Sequence, residues 1–576
     1  MTKKRDLFSD LVVVFLCVLG IAGLLGIVKT IFIGIDIDES YAISQAYRLM
    51  KGDKLISDMW EPHQFSAYPT ALFLKLYVMI TGSTDYAVVY LRLCGTLIHL
   101  LLAFFLYRVI RLWTTSGISL LVILMHINFL AKWIQTPEFE IMQYWLMLCT
   151  ALCLITYFRK GRGTLLLVFS GIAMLLQLFN YPTMILLYFF YMFGLYKIDS
   201  PAVVRRRAVL ITTLSAFLSG LCVIGYLLSY QTVDELLINL GYVLADPSHT
   251  GESFFLRMRG FFIEFVWDIL LFAVVSAVAL PLVYLFYRLS HKTSSTLPRR
   301  KWLIQTGLLA FVLLCFAQMI GCLFLDQNQF FLQERYLYIT ILGIVVYRIQ
   351  GDKQLIPQLL YRFGLIPAVV SVFATALLTN MTLNVSYSKL FLGCIFTFLL
   401  MITCYDREEQ KQLYLPISFL VMSLLVCKLV LMRVTGCLPV TIHARLQKIQ
   451  NGPLGGVYLL EEYARAYEAD QDLLGQYVSS TDNLFIFGRE SLLYVGCDAQ
   501  VSVASVLSTS VFNQVFLDYL NLHPEKYPTV IAVDKRFALV PEYCYYLENH
   551  VVEEWIETEY RYSQKVESDY MTLYIR

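Results

Sequence analysis

The chain has 576 residues, of which 58% are hydrophobic and only 15% charged, and its mean hydropathy is +0.63. A soluble chain carries roughly a quarter charged residues, so a water-soluble enzyme is excluded. With 45 Lys and Arg against 43 Asp and Glu, the net charge of +2 lacks the basic excess of a nucleic-acid binder.

Apolar runs of the length needed to cross a roughly 30 Å hydrocarbon core punctuate most of the chain. In chain order they predict thirteen spans: 11–34, 87–107, 116–131, 139–158, 164–180, 182–196, 208–229, 267–287, 302–325, 336–349, 363–379, 389–405 and 413–432. The opening MTKKRDLFSD leads into the first run. That run is too long for a signal-peptide core and has no small-x-small exit, so it reads as a retained helix.

An odd number of spans puts the termini on opposite faces. Basic clusters (Lys3-Lys4-Arg5, Arg108/Arg111, Arg159-Lys160, Arg205-Arg206-Arg207, Arg299-Arg300-Lys301, Lys353/Arg362 and Arg407/Lys411) all fall on the N-terminal side. The short loops opposite carry few, among them Lys132, Arg335 and Lys389. The positive-inside rule then makes the N-terminus cytoplasmic and the protein an integral plasma-membrane protein. The long loops 35–86 and 230–266 lie outside, with amphipathic segments predicted to lie at the membrane interface. In the first loop, Asp36 or Asp38 is placed to cap a helix that Gly52 ends.

Beyond Arg433 the apolar runs stop. Residues 441–576 hold 10 Lys and Arg against 19 Asp and Glu. The expected organisation is a transmembrane domain over 1–432 and a soluble, acidic extracytoplasmic domain over 433–576. LLEEYARAYEADQDLLGQYV reads as an amphipathic helix, and NLFIFG and TVIAVD read as buried strands of a small α/β fold. Gly488 stands alone rather than in a GxGxxG motif, so nucleotide binding is not supported. The thirteen cysteines leave at least one thiol free, and no CxxC spacing suggests a metal.

Carboxylates are costly near lipid unless they have a task or a partner, yet acids gather at the external edge. Asp36, Asp38 and Glu39 follow span one, Glu138 and Glu140 stand in QTPEFEIMQYW before span four, and Glu334-Arg335-Tyr336 opens span ten.

The segment IDESYAISQAYRLMKGD followed by SDMWEPHQ resembles the first external loop of GT-C glycosyltransferases, and in particular the protein-mannosyltransferase and aminoarabinose-transferase branch. In that branch an Asp-Glu pair precedes a Tyr/Ala-containing helix, a Gly and a further acid. Arg335-Tyr336 before an apolar span and the plan of thirteen helices with an external C-terminal domain are similar too, and the resemblance covers about residues 1–432. It implies a mainly α, polytopic transferase that takes a sugar from a polyprenyl-phosphate donor at the outer leaflet and passes it, with inversion, to an acceptor hydroxyl. It also implies the roles of individual residues. Asp38, with Glu39 beside it, matches the catalytic position, and Glu138 and Glu140 fall where some members place a second acid. Arg335 is the first candidate for the donor phosphate, accompanied by Tyr336, with Arg48, Lys51 and Lys54 behind it. Asp36, Trp60 and His63 are candidate substrate contacts. No cofactor is expected, although Asp36-x-Asp38 also reads as an Asp-x-Asp metal motif with only PEFE as a partner. Asn380-Met-Thr and Asn384-Val-Ser fit glycosylation sequons.

Two rival readings are kept open. A transporter or flippase of lipid-linked sugars would place broken, polar helices at mid-membrane in two matching halves, and neither feature is visible. A scaffold of the same shape without catalysis is the other.

Overall fold

The computed structural model describes residues 7–61, 63–131, 135–244, 254–290, 304–314, 317, 334–351, 354–377, 383–404, 420–431, 433, 445–488, 490–508, 513–535 and 551–576. Up to residue 431 the described elements are helical. Among the described residues, seven helices are long and apolar enough to cross a membrane.

The order begins α1 (Leu7–Phe32), α2 (Ile37–Lys51), α3 (Ala67–Thr81), α4 (Ala87–Ile110), α5 (Ser116–Asn128), α6 (Phe139–Lys160), α7 (Thr164–Asn180), α8 (Ile185–Lys197) and α9 (Ala202–Leu227). It continues with α10 (Val233–Leu244) and α11 (Phe254–Ser290), then α12 (Ile304–Leu314) and α13 (Glu334–Val346). The last membrane helices are α14 (Leu355–Ala376), α15 (Tyr387–Cys404) and α16 (Leu420–Leu431). Each predicted apolar run therefore meets a helix.

The largest departure is α11. Its 37 residues begin well before the predicted run at 267, because Arg257, Arg259 and Glu264 interrupt the apolar pattern without interrupting the helix. At 1.5 Å per residue it is about 55 Å long, well beyond one bilayer core. The basic clusters at 291–303 and 405–419 lie outside the described residues, as do Cys437, Cys544 and Asn380; the side chain of Asn384 does too.

The C-terminal region is α/β. A two-stranded ribbon, β1 (Leu446–Lys448) with β2 (Tyr458–Leu460), precedes α17 (Glu461–Tyr477). A five-stranded sheet follows, built from β3 (Asn483–Phe487), β4 (Gln500–Val501), β5 (Val530–Asp534), β6 (Gln564–Glu567) and β7 (Met571–Ile575), in the order β4-β3-β5-β7-β6. Strand β3 runs parallel to β4 and β5, whereas β7 is antiparallel to β5 and β6. Helices α18 (Leu492–Cys497), α19 (Asn513–Leu522) and α20 (Val551–Thr558) complete the region.

This tail sits directly on the loop between α1 and α4. The Gly34 N–H donates to Tyr458 O at 2.9 Å, the Tyr86 N–H to Gly452 O at 2.8 Å, and the Tyr47 hydroxyl to Ala499 O at 2.9 Å. At the chain's return from the bundle, Arg433 is buried and donates to Thr30 Oγ1 at 3.1 Å, to Gln135 Oε1 at 2.6 Å and to Ile127 O. A buried guanidinium with three acceptors joins α1, α5 and the segment before α6.

Candidate active site

Two helix N-termini meet on the face that carries the tail. Asp36 caps α2 by accepting the Asp38 N–H at 2.8 Å. Glu138 caps α6 by accepting the N–H groups of Glu140 at 2.8 Å and Ile141 at 2.6 Å. Both side chains satisfy backbone donors that a helix start leaves orphaned. The segment before α6 can reach this place because Gly95 of α4 has no side chain: a Cβ there would lie 1.9 Å from Gln135 O. Thr136 then donates to Glu39 Oε1 at 2.6 Å, and Thr70 to Pro137 O at 2.6 Å.

Glu39 is held in place by an arginine. Arg92 of α4 grips it in a bidentate pair, Nε to Oε1 at 2.8 Å and Nη2 to Oε2 at 2.6 Å, while also donating to the Ile31 and Gly34 carbonyls. Both residues are buried. The structure thus departs from the expectation of a catalytic Glu39, whose two oxygens are spent on Arg92 and Thr136.

Around the two N-termini stands a small polar and aromatic set. Tyr181, just after α7, donates its hydroxyl to Glu140. Lys389, near the start of α15, forms a buried ion pair with the same carboxylate, and its ammonium lies 4.9 Å from the centre of the Tyr181 ring. His63 stacks on Phe139 at 4.3 Å, meets Tyr181 edge-on at 4.5 Å, and its Nδ1 is bonded to Asn180 O. Burial, reinforced by the carboxylates of Glu140, Glu138 and Asp38, holds the Tyr181 phenol protonated well above its usual range. Those three acids therefore act on one hydroxyl, and Asp38 belongs to the same electrostatic neighbourhood. Asp38 itself is half-buried. Beneath the ion pair a cavity of about 10 Å³, room for roughly one water, is lined by Glu140, Lys389, Ser388, Tyr144, Met147 and Phe129, with Ala131.

Several predicted residues are placed elsewhere. Arg48 is completely buried at the far end of α2. It donates to Asp53 Oδ2 at 2.7 Å, to Ala504 O at 3.1 Å and to the Asp58 carbonyl, with Glu61 at 3.8 Å. A guanidinium so occupied cannot hold a donor phosphate. Ten residues of helix also separate it from Asp38, about 15 Å along the axis. Lys51 points to the tail, where it pairs with Asp498 at 2.9 Å. Lys54 is exposed over the Tyr230 ring at 5.3 Å.

Trp60 is no sugar platform. It is buried, stacked on Tyr242 at 4.1 Å and edge-on to Tyr519 at 5.1 Å, with its indole N–H on Asn239 Oδ1 at 3.2 Å. Asp36 serves α2 as a cap through Oδ1. Among the described residues no group of three His, Cys, Asp or Glu side chains is placed to hold a metal ion.

Arg335 lies in the first turn of α13, and its side chain falls outside the described residues. The neighbouring Tyr336 is buried, 5.5 Å from the Phe391 ring of α15 and under the Lys428 ammonium at 4.9 Å.

Lys389, Tyr181, Phe139 and Arg92 were not singled out as site residues from the sequence. The available signal was a lone cation inside an apolar run, SKLFLG for Lys389 and YLRLCG for Arg92. Ionisable groups at membrane depth mark function or a fixed partner.

No protein-family model and no curated protein sequence matches this chain. Among solved structures, the chain is similar to the archaeal oligosaccharyltransferase AglB from Archaeoglobus fulgidus in complex with an inhibitory peptide and a dolichol-phosphate. The identity is 10%, 92% of this chain and 70% of the other are covered, and the TM-score is 0.46. It is also similar to ArnT from Cupriavidus metallidurans bound to undecaprenyl phosphate, at 10% identity over 98% of each chain with a TM-score of 0.44. A complex of the Archaeoglobus fulgidus oligosaccharyltransferase with Zn and sulfate gives 11% identity, 90% and 68% coverage and a TM-score of 0.46. Likenesses of this size assign no residue and no substrate to the chain.

Proposed function

We propose that the chain is an integral-membrane glycosyltransferase of the extracytoplasmic membrane face. It moves a sugar from a polyprenyl-phosphate donor to an acceptor hydroxyl with inversion at the anomeric carbon. The observation that carries this reading is the meeting of the α2 and α6 N-termini through Glu39 and Thr136, which sets half-buried Asp38 near the buried cluster that Glu140 and Lys389 form with Tyr181.

Such a transfer needs a base beside the acceptor and a cation beside the leaving group. Asp38 takes the proton of the acceptor hydroxyl. The freed oxygen forms its bond to the anomeric carbon from the face opposite the phosphate. The carbon–oxygen bond to phosphate breaks, and its electron pair leaves on polyprenyl phosphate. Lys389 supplies positive charge to that leaving group by exchanging Glu140 for phosphate, and Glu140 keeps the Tyr181 hydroxyl while it does so. Arg335 retains the phosphate role that the family resemblance gives it. The His63 ring, half-buried and backed by Phe139 and Tyr181, is the member of this aromatic set that a sugar could meet.

The test uses the purified protein in phospholipid vesicles, supplied with a radiolabelled polyprenyl-phosphate sugar and a water-soluble acceptor glycoside or glycolipid. Release of polyprenyl phosphate with formation of an inverted glycoside supports the reading. Passage of the intact donor between leaflets without release supports a flippase and overturns it.

A further inference from the structure

Helix α11 lies at the edge of the bundle and presents apolar side chains outward, with Phe262 and Trp267 each 67% exposed. From the same stretch it turns two carboxylates, Glu264 and Asp268, inward. Glu264 Oε2 accepts the Leu383 N–H at 2.6 Å. One helical turn later, buried Asp268 accepts the Tyr387 hydroxyl at 2.7 Å through Oδ2. The donors are also four residues apart, so the two elements meet in a two-rung ladder. A carboxylate on a lipid-facing helix is costly unless it performs a task. Here both hold the same short segment, and two residues beyond its second rung stands Lys389, whose ammonium pairs with Glu140.

We propose that Glu264 and Asp268 are positioning residues for Lys389. The ladder fixes the turn from which the lysine reaches Glu140 and, on the transferase reading given above, the donor phosphate. The lysine stem carries four rotatable bonds, and an ammonium acts as a point charge with no directional grip. Its placement is therefore set by the backbone that presents it, and that backbone is tied to α11. Their hydrogen bonds run to Leu383 and Tyr387, so on this proposal their effect reaches the reaction through Lys389.

The experiment measures binding of a polyprenyl phosphate without sugar, by tryptophan fluorescence or scintillation proximity, to wild type, Tyr387→Phe, Asp268→Asn, Lys389→Met and the Tyr387→Phe/Lys389→Met pair. Tyr387→Phe removes one oxygen and keeps the ring. The expected result is a loss of affinity of roughly tenfold for Tyr387→Phe, the size of a lost hydrogen bond to a charged group. Asp268→Asn should match it, and Tyr387→Phe should have no further effect once Lys389 is Met.

A purely structural role would weaken binding equally in both backgrounds, and that result would overturn the proposal, as would unchanged affinity in Tyr387→Phe. Wild type that fails to bind polyprenyl phosphate at all would instead remove the transferase reading. If Asp268→Asn does not fold, the Tyr387→Phe cycle decides alone.

Discussion

Helix α2 carries charge at both ends, and the two ends do different work. Its N-terminal end brings Asp38 and Glu39 to the segment that starts α6, the helix whose Glu140 holds Tyr181 and Lys389. Its C-terminal end plugs into the tail domain. There Arg48 donates to Ala504 O, Lys526 pairs with Asp53 at 2.5 Å, Tyr519 donates to Asp58 O at 2.8 Å, and Val506 N–H bonds to Glu61. At the N-terminal end Asp38 is half-buried next to the buried Glu140, whereas at the C-terminal end Arg48, Asp53 and Glu61 are buried against one another and the tail, with Lys51 and Lys54 at the rim. Groups that are half-buried near exchangeable partners suit chemistry, and groups whose every donor is spent suit architecture. The tail thus grips the helix that presents the proposed base.

This contrast is open to direct attack. Replacing Asp38 with Asn should reduce transfer by about 10² to 10⁴-fold, the usual worth of a positioned general base. The Tm should stay within the range of a surface substitution. Retained transfer in a folded variant would move the base elsewhere. Lys389→Met should slow release of polyprenyl phosphate by roughly 10² to 10³-fold, read in single turnovers. An unchanged rate would break its assignment to the leaving group.

At the other end of α2 the readout is stability. Arg48→Met takes the guanidinium from buried Asp53 and Glu61, leaving only Lys526 on the one and the Val506 N–H on the other, and should cost up to about 3–5 kcal/mol in detergent unfolding experiments. A near-neutral result would mean that the tail does not depend on this node.

The same node should respond to pH. Burial pushes the Glu61 carboxyl above its usual range, against the opposing pull of Arg48 and the Val506 N–H. With the folded pKa raised, the folded state holds more protons than the unfolded chain in the window between the two values. Stability contributed by Glu61 is complete below the ordinary glutamate pKa and is lost as pH rises through the folded value. Glu61→Gln should flatten that slope in Tm measured against pH, and an identical slope would remove Glu61 as its source. The smallest effect belongs to Lys51→Ala. The Asp498 partner is 67% exposed at the side chain, and such pairs are worth less than about 1 kcal/mol.

What the sequence disclosed follows the same division. Long apolar runs are read by any bilayer in the same way, so the helices were legible down to short ones such as α8. The acids were legible because carboxylates stand out against lipid. The cations were not. Arg48, Lys51 and Lys54 lie close to Asp38 in sequence, but a helix sends residues ten positions apart to opposite ends. Lys389 lies about 350 positions away and is brought back only by packing of α15 against α13 and α14, where its ammonium meets Glu140 of α6. Trp60 illustrates the same point: an indole in a WEPHQ loop reads as an interface anchor or a sugar platform until Tyr242 and Tyr519 are seen to enclose it.

The central claim is that the donor phosphate belongs to the Asp38 end of α2 and not to its Arg48 end. A structure of the protein with a polyprenyl phosphate bound tests it most directly. The account predicts phosphate within ion-pairing reach of the Lys389 ammonium, about 4 Å or less, with Asp38 facing the side where the sugar would lie. Phosphate seated against Arg48 or Lys51 at the tail interface would contradict it.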